Sequence, residues 1–296
     1  MTEMKKEIDN YAIECYRNCP KYFYWRILRG LVKPGGVKRA ADFGAAIHKA
    51  LETYYSKGMT EESMAEGIIA FAEMFGPVEN IEEDDKRTVQ RGMEILAKYY
   101  ERYKGEPFNV MATEVGGAFE LGEWIYRTRI DMAVEWQAPK GIYIFDHKTT
   151  SDMGRLIAKP SNQMTGYLYN ASEMYENVLG LMVNIIGVYK TVKIKDKGTG
   201  EMKERDIFAR IPTQRTPPEL AEWKDEVLHV LHQIEESIEK GKFPKHAPEY
   251  CGAYRGKCFY LDLCLSDADT AERLIEVAYA YEPWEAYEKG GEEGDE

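Results

Sequence analysis

Cysteine is scarce and odd in number, five residues in a chain of 296. That is a poor disulfide framework, and it fits a reducing compartment. Paired C-x-x-C knuckles are missing, which removes the ordinary zinc ribbon. No apolar run approaches the ~20 residues of a membrane span. The opening MTEMKKEIDN lacks the apolar core of a signal peptide. The expectation is a soluble, cytoplasmic protein with no membrane partner. Positive charge is also short: 39 Lys and Arg stand against 51 Asp and Glu, a formal net charge of −12. Taken alone, that balance argues against a polyanionic partner. Its distribution matters more. Residues 1–50 hold ten basic against five acidic side chains, whereas Glu282–Glu296 holds seven acids against Lys289. Half of the net charge therefore sits in a stretch that reads as a disordered, solvating tail.

What is present, 44% hydrophobic residues, suffices for a sizeable core. Residues 11–29, YAIECYRNCPKYFYWRILR, predict a helix that Pro20 kinks or restarts. Tyr22, Phe23, Tyr24 and Trp25 lie there among Arg17, Lys21, Arg26 and Arg29. The mixture suits single-stranded nucleic acid, where bases stack on rings and phosphates pair with cations. The competing reading is a core helix with a basic outer face. A basic Pro-Gly loop, 33–39, leads to a helix over 41–55, on which Gly44 and His48 are four apart and share a face. Helices over 60–75 and 86–103 follow, separated by Gly76-Pro77 and the acidic ENIEEDD run, with no chemistry of their own. Strands are expected at 109–121, 124–136 and 142–149. A helix over 161–175 carries Gln163 and Tyr167 one turn apart. An apolar strand at 181–190, a hairpin over 193–210 and an amphipathic helix from Pro217 to Lys240, stopped by Gly241, complete the pattern.

The stretch Trp124–Thr150, WIYRTRIDMAVEWQAPKGIYIFDHKTT, organises the rest. Its first strand alternates: Trp124, Tyr126, Thr128, Ile130, Met132, Val134 and Trp136 on one face, Arg127, Arg129, Asp131 and Glu135 on the other. A turn at Pro139-Lys140-Gly141 leads into a more apolar second strand that carries Asp146 and Lys148. Two residues apart on a strand means one face, roughly 7 Å apart. If the strands pair as a hairpin, Asp131 can lie beside Asp146. Two such carboxylates repel, and a divalent cation between them removes the repulsion. Oxygen ligands suit Mg²⁺ or Mn²⁺. The bland reading is a salt-bridged strand pair in which Lys148 neutralises one Asp.

From about Tyr11 to Cys264 the chain resembles the PD-(D/E)XK nuclease superfamily, and within it the RecB-like exonuclease branch that includes CRISPR-associated and phage-encoded members. The resemblance rests on five motifs in order: Gly44 to His48, Glu114, Asp131, Asp146-His147-Lys148, and Gln163 to Tyr167. Thr128 stands where the family usually has Gly. The resemblance implies an α/β, restriction-endonuclease-like core, αβββαβ, with a central mixed sheet flanked by helices. It implies one nuclease domain over 1–281, with a helical insertion at about 56–105 and a cysteine-bearing C-terminal segment packed against the N-terminal helix.

It further implies that His48, Asp131, Asp146 and the carbonyl of His147 hold Mg²⁺ or Mn²⁺. Lys148 then orients water and stabilises charge at phosphorus, Glu114 serves a second metal or a water, and Gln163 and Tyr167 position the strand. The implied partner is DNA, single-stranded or at ends, with recombination or replication proteins beside it. Cys251, Cys258 and Cys264, at spacings of seven and six, join Cys19 before Pro20 in the manner of the iron–sulfur members of that branch, which implies a four-iron four-sulfur (4Fe-4S) cluster. Cys15, one turn before Cys19, is the substitute ligand. Non-cleaving end-binding and CRISPR spacer trimming are the alternative functions.

Overall fold

A computed structural model describes residues 6–34, 39–79, 86–154, 161–190, 193–195, 198, 200–246, 251 and 258–286. Part of the 33–39 loop, most of the ENIEEDD run, much of the 251–264 cysteine segment and the acidic tail from 287 onward lie outside the described residues. The chain divides into two compact units: Met1–Gly36 with Ala118–Thr128 and Ala221–Lys289, and Val37–Gly117 with Arg129–Leu220 and Gly290–Glu296.

The second unit carries an α/β core. Helix α3, Arg39–Ser56, is followed by α4, Glu61–Glu79, and α5, Val89–Arg102. Thr88 caps α5 by accepting from the Arg91 N–H at 3.1 Å. The strands are β3, Phe108–Leu121, β4, Trp124–Gln137, and β5, Lys140–Thr150. Helix α6, Asn162–Met174, capped by Ser161, and strand β6, Val178–Gly187, come next. A small hairpin, β7, Lys193–Lys195, with β8, Met202–Glu204, precedes β9, Phe208–Thr213. The sheet is mixed: β4 and β5 are antiparallel, β5 and β6 parallel through the α6 crossover, β6 and β9 antiparallel, and β3 lies along β4. The order helix, three strands, helix, strand is therefore present, with two helices inserted after the first.

Both faces of this sheet are covered, which is why β5 and β6 are apolar almost throughout. Phe43, Ile47, Leu51, Phe71, Phe75, Leu96 and Tyr99 of α3–α5 bury Met132, Val134, Phe145 and Ile186 on one face. Met164, Tyr167, Leu168 and Ala171 of α6 bury Ile130, Ala133, Ile144, Leu181, Val183 and Ile185 on the other. Each such aromatic or aliphatic side chain contributes about 1.5–3 kcal/mol on burial. Alternation along β5 then sends Asp146 and Lys148 to the α6 face, with Ile144. It sends His147 to the α3–α5 face, with Phe145.

Four local expectations are corrected. The single alternation of β4 breaks: Ile130 packs with Ala133 on the α6 side, whereas Met132 and Val134 pack on the α3–α5 side, so the strand changes face beside Asp131. The hairpin turn is Ala138-Pro139, because Gln137 already pairs with Lys140. Helix α4 runs through Gly76 and Pro77 to Glu79. Only one turn of helix follows Phe75, so the hydrogen bond that Pro77 cannot donate is lost at a helix end, where the cost is small. The predicted 193–210 hairpin closes earlier, at Glu204, and Phe208–Thr213 instead joins the main sheet through β6.

In the first unit, β1, Lys6–Ile8, lies parallel to Trp124–Tyr126 at the start of β4. The expected long helix is three pieces. These are α1, Asn10–Asn18, α2, Pro20–Phe23, and a π-helical turn, Tyr24–Leu28, with Pro20 at the first position of α2, where its missing N–H costs nothing. Helix α7 is Pro217–Lys240, and within this unit Tyr16 Oη bonds the Gln233 carbonyl and Ser237 on it. Short strand β2, Leu31–Val32, pairs with β10, Ala280–Tyr281. Helices α8, Leu261–Leu265, and α9, Ala268–Ala278, place Tyr260, Leu263 and Ala271 against Trp25 and Leu31. Among the described residues, no helix is long and apolar enough to cross a membrane.

Candidate functional site

The β4–β5 register brings the acids together. Met132 pairs with Phe145, where the paired register ends; Asp131 and Asp146 are the next residues along, and the Asp131 charge acts on Asp146. Asp131 Oδ2 accepts the backbone N–H of His147 at 2.5 Å, and Oδ1 lies 3.5 Å from His48 Nδ1 on α3. Burial alone would raise the Asp131 carboxyl. The neighbouring His48 and His147 outweigh it and hold the acid below its usual range. Asp146 is different. Burial pushes its carboxyl up to about 6, Lys148 opposes this and Asp131 adds to it. Its Oδ1 has Lys148 Nζ at 3.4 Å, while Oδ2 is buried with no hydrogen-bond partner.

Lys148 Nζ also donates to Gln163 Oε1 on α6 at 2.9 Å. The ammonium is thus held between a carboxylate of its own strand and an amide of the crossover helix. Gln163 and Tyr167, expected to touch substrate, are both buried. Gln163 serves Lys148, and the Tyr167 ring belongs to the α6-side core. Glu114 sits on β3 at φ +50°, in the left-handed region that costs a side-chain-bearing residue about 1–3 kcal/mol. It pairs with Arg129 at 2.5 Å; burial and then Asp131 raise its carboxyl, opposed by Arg129 and His48.

Behind β5 lies a second set of polar residues that sequence reasoning missed. Asn184 on β6 reaches His147 Nδ1 at 2.9 Å, and Arg210 on β9 bonds both Asn184 Oδ1 and the Glu106 carboxylate. The one available signal was a lone Asn inside the apolar LMVNIIG run. Burial lowers the His147 imidazole to about 3, so the ring is neutral here.

Among the described residues, no group of three or more His, Cys, Asp and Glu side chains has closed to the spacing of a metal centre. The donor set nevertheless fits a hard cation. It offers two electrostatically coupled carboxylates, one with a raised proton affinity and a partnerless buried oxygen.

In the first unit none of the five cysteines is in a disulfide. Burial raises the Cys258 thiol, and the charges of Cys251, Cys264 and Cys19 add to it; burial and then Cys19 raise Cys264. The Cys19 charge thus acts on both Cys258 and Cys264. The four cations expected on the N-terminal helix are engaged within the unit. Arg17 meets Glu14 and Glu226, Lys21 lies over the Tyr24 and Trp25 rings, Arg26 meets Glu282, and Arg29 makes a two-pronged pair with Glu272 at 3.0 Å.

No curated protein matches the chain. Among solved structures it is similar to a protein named "Putative exonuclease" from Eubacterium rectale, at 11% identity and a TM-score of 0.45, over 88% of this chain and 94% of that one. A second, SSO0001, is similar at 11% identity and a TM-score of 0.28, over 77% of this chain and 80% of that one. Residues 11–265 match the sequence profile of the PD-(D/E)XK nuclease superfamily, and the chain belongs to that superfamily.

Proposed function

We propose that this chain is a Mg²⁺- or Mn²⁺-dependent deoxyribonuclease of the RecB-like branch, an exonuclease on single-stranded DNA or DNA ends that serves recombination, repair or replication. The observation that carries the reading is Asp146. Its Oδ1 faces Lys148, its Oδ2 is buried without a partner, and the Asp131 charge acts on it. His48, Asp131, Asp146 and the His147 carbonyl would hold the cation, with Glu114 at the side. When bound, such a cation polarises a phosphodiester and lowers the pKa of a water.

The chain's own residues supply the rest. Lys148, fixed by Asp146 and Gln163, orients the attacking water and stabilises the charge that gathers on the phosphoryl oxygens. His48 and the His147 N–H keep Asp131 ionised. Water adds to phosphorus and gives up one proton to solvent, one P–O ester bond breaks, and the departing oxygen takes a proton from solvent. Gln163 acts through Lys148, and Tyr167 supports the α6 packing that holds Gln163 in place.

The charges of Cys251, Cys264 and Cys19 that act on Cys258 support a 4Fe-4S cluster as a structural tie between segments far apart in sequence. The paired state of Arg17, Arg26 and Arg29 favours a structural role for that basic face over a DNA grip. The test is end-labelled single- and double-stranded DNA incubated with the full chain and Mn²⁺ or Mg²⁺, against EDTA. Cation-dependent shortening from an end supports the reading. Binding of ends without cleavage under any cation would replace it with an end-binding module.

A further inference from the structure

Arg210 stands at the head of a chain of hydrogen bonds whose direction is fixed by chemistry. A guanidinium can only donate. The Asn184 atom 3.2 Å from Arg210 Nε is therefore the amide oxygen, which turns the amide nitrogen toward Tyr99 Oη and His147 Nδ1, each at 2.9 Å. Tyr99 Oη accepts from Asn184 and from Arg210 Nη2 at 3.2 Å, so its own proton goes to Tyr55 Oη at 2.9 Å. Tyr55 Oη lies 3.1 Å from the same Arg210 Nη2, whose two hydrogens are shared among Tyr55, Tyr99 and Glu106, and its own proton goes on to Glu106 Oε1 at 3.3 Å. Glu106 closes the loop on Arg210 through both carboxylate oxygens. Asn184 and Tyr99 have no accessible surface, and His147 and Tyr55 almost none.

We propose that this closed network is a positioning device for the cation site. It holds the His147 ring as the Nε2–H tautomer on the α3–α5 face of the sheet. The alternation of β5 then fixes the backbone of the same residue, with its N–H on Asp131. Arg210, Asn184 and Glu106 are positioning residues that touch neither substrate nor cation. Outer-shell partners of this kind typically alter metal affinity about 10–100-fold when removed. The proposal deepens the nuclease reading and rests on it only for that last consequence.

The test uses the full chain without metal, in EDTA, with ¹⁵N-labelled histidine. Only five histidines are present, and His147 is assigned by loss of its signal in His147→Gln. The expected spectrum shows an unprotonated Nδ1 and a protonated Nε2. Asn184→Asp should move the proton to Nδ1, because a carboxylate can only accept. Asn184→Leu should speed amide exchange at His147 and weaken Mn²⁺ binding about 10–100-fold. Arg210→Lys, a milder change, should blur the tautomer preference in a protein that keeps its charge. A wild-type ring protonated on Nδ1 overturns the proposal, as does an unchanged tautomer in folded Asn184→Asp or unchanged His147 amide exchange in folded Asn184→Leu. If tautomer and exchange behave as stated while the wild type neither binds Mn²⁺ nor cuts DNA, the nuclease reading falls and the positioning network stands.

Discussion

Asp131 Oδ2 accepts the backbone N–H of His147 at 2.5 Å. That one bond ties the acid of β4 to the strand that carries Asp146 and Lys148. His48 first and His147 after it outweigh burial and hold Asp131 ionised, whereas burial outweighs Lys148 at Asp146, which resists ionisation.

The difference has a sign in pH. Asp146, raised from an ordinary value near 3.8 to about 6, keeps a proton in the folded state that the unfolded chain has already lost. Metal-free protein should therefore lose stability as pH rises from about 4 to 6, by roughly 3 kcal/mol. Asp131, held low, acts in the opposite sense below that window, its contribution disappearing as pH falls beneath its usual carboxylate range. Urea midpoints in EDTA across pH 3–8 should show the falling limb in the wild type. Asp146→Asn should flatten it, and a variant that keeps the full slope would assign it to another group.

Lys148→Ala should retain Mn²⁺ binding and lose about 10²–10³-fold in cleavage rate, since its charge acts mainly in the transition state. Gln163→Leu, which leaves the ammonium in place but releases one of its two anchors, should cost less. Calorimetric titration beside a single-turnover assay separates the effects. Loss of Mn²⁺ binding in Lys148→Ala with no further catalytic defect would make the lysine structural.

Anaerobically purified protein should be brown and contain iron and sulfide. Cys19→Ala should bleach it and lower its melting temperature, because the cluster closes a loop of more than two hundred residues. Cys15→Ala should do neither. Bleaching by Cys15→Ala alone would move the ligand one helical turn back, and colourless protein that contains zinc would remove the cluster while leaving the nuclease reading intact.

Gly92→Ala should destabilise the second unit by about 1–3 kcal/mol, although alanine is the better helix former by about 1 kcal/mol. A Cβ at Gly92 would meet the Phe71 ring at 1.9 Å, in a cluster where Phe71 has no accessible surface. Thermal melts decide the sign, and a gain in stability would mean that the α4–α5 contact is looser than described.

Much of this arrangement is legible in the chain because its signals are local. The Asp146-His147-Lys148 triplet, the apolar second strand and the turn signal before it already imply a hairpin with an acid on each strand. Gln163 one turn from Tyr167 marks the crossover helix. What stayed hidden depends on partners distant in sequence. Nothing near Arg29 or Arg26 announces Glu272 or Glu282, so a paired basic face reads as a free one. Arg210, Asn184 and Glu106 meet only once β6 pairs with β9 and the segment before β3 reaches them. The face change between Ile130 and Met132 is invisible for another reason: every residue involved is apolar except Asp131, so the pattern does not record which side each one takes.

The central claim is that Asp131 and Asp146 together hold the cation on which cleavage depends. The direct measurement is the initial rate on end-labelled DNA as Mn²⁺ is titrated, for wild type, Asp131→Asn and Asp146→Asn, each checked for an intact fold by circular dichroism. The account predicts a saturable, EDTA-reversible rate in the wild type and no cleavage by either variant at any Mn²⁺ concentration. Wild-type rates in both folded variants would contradict it.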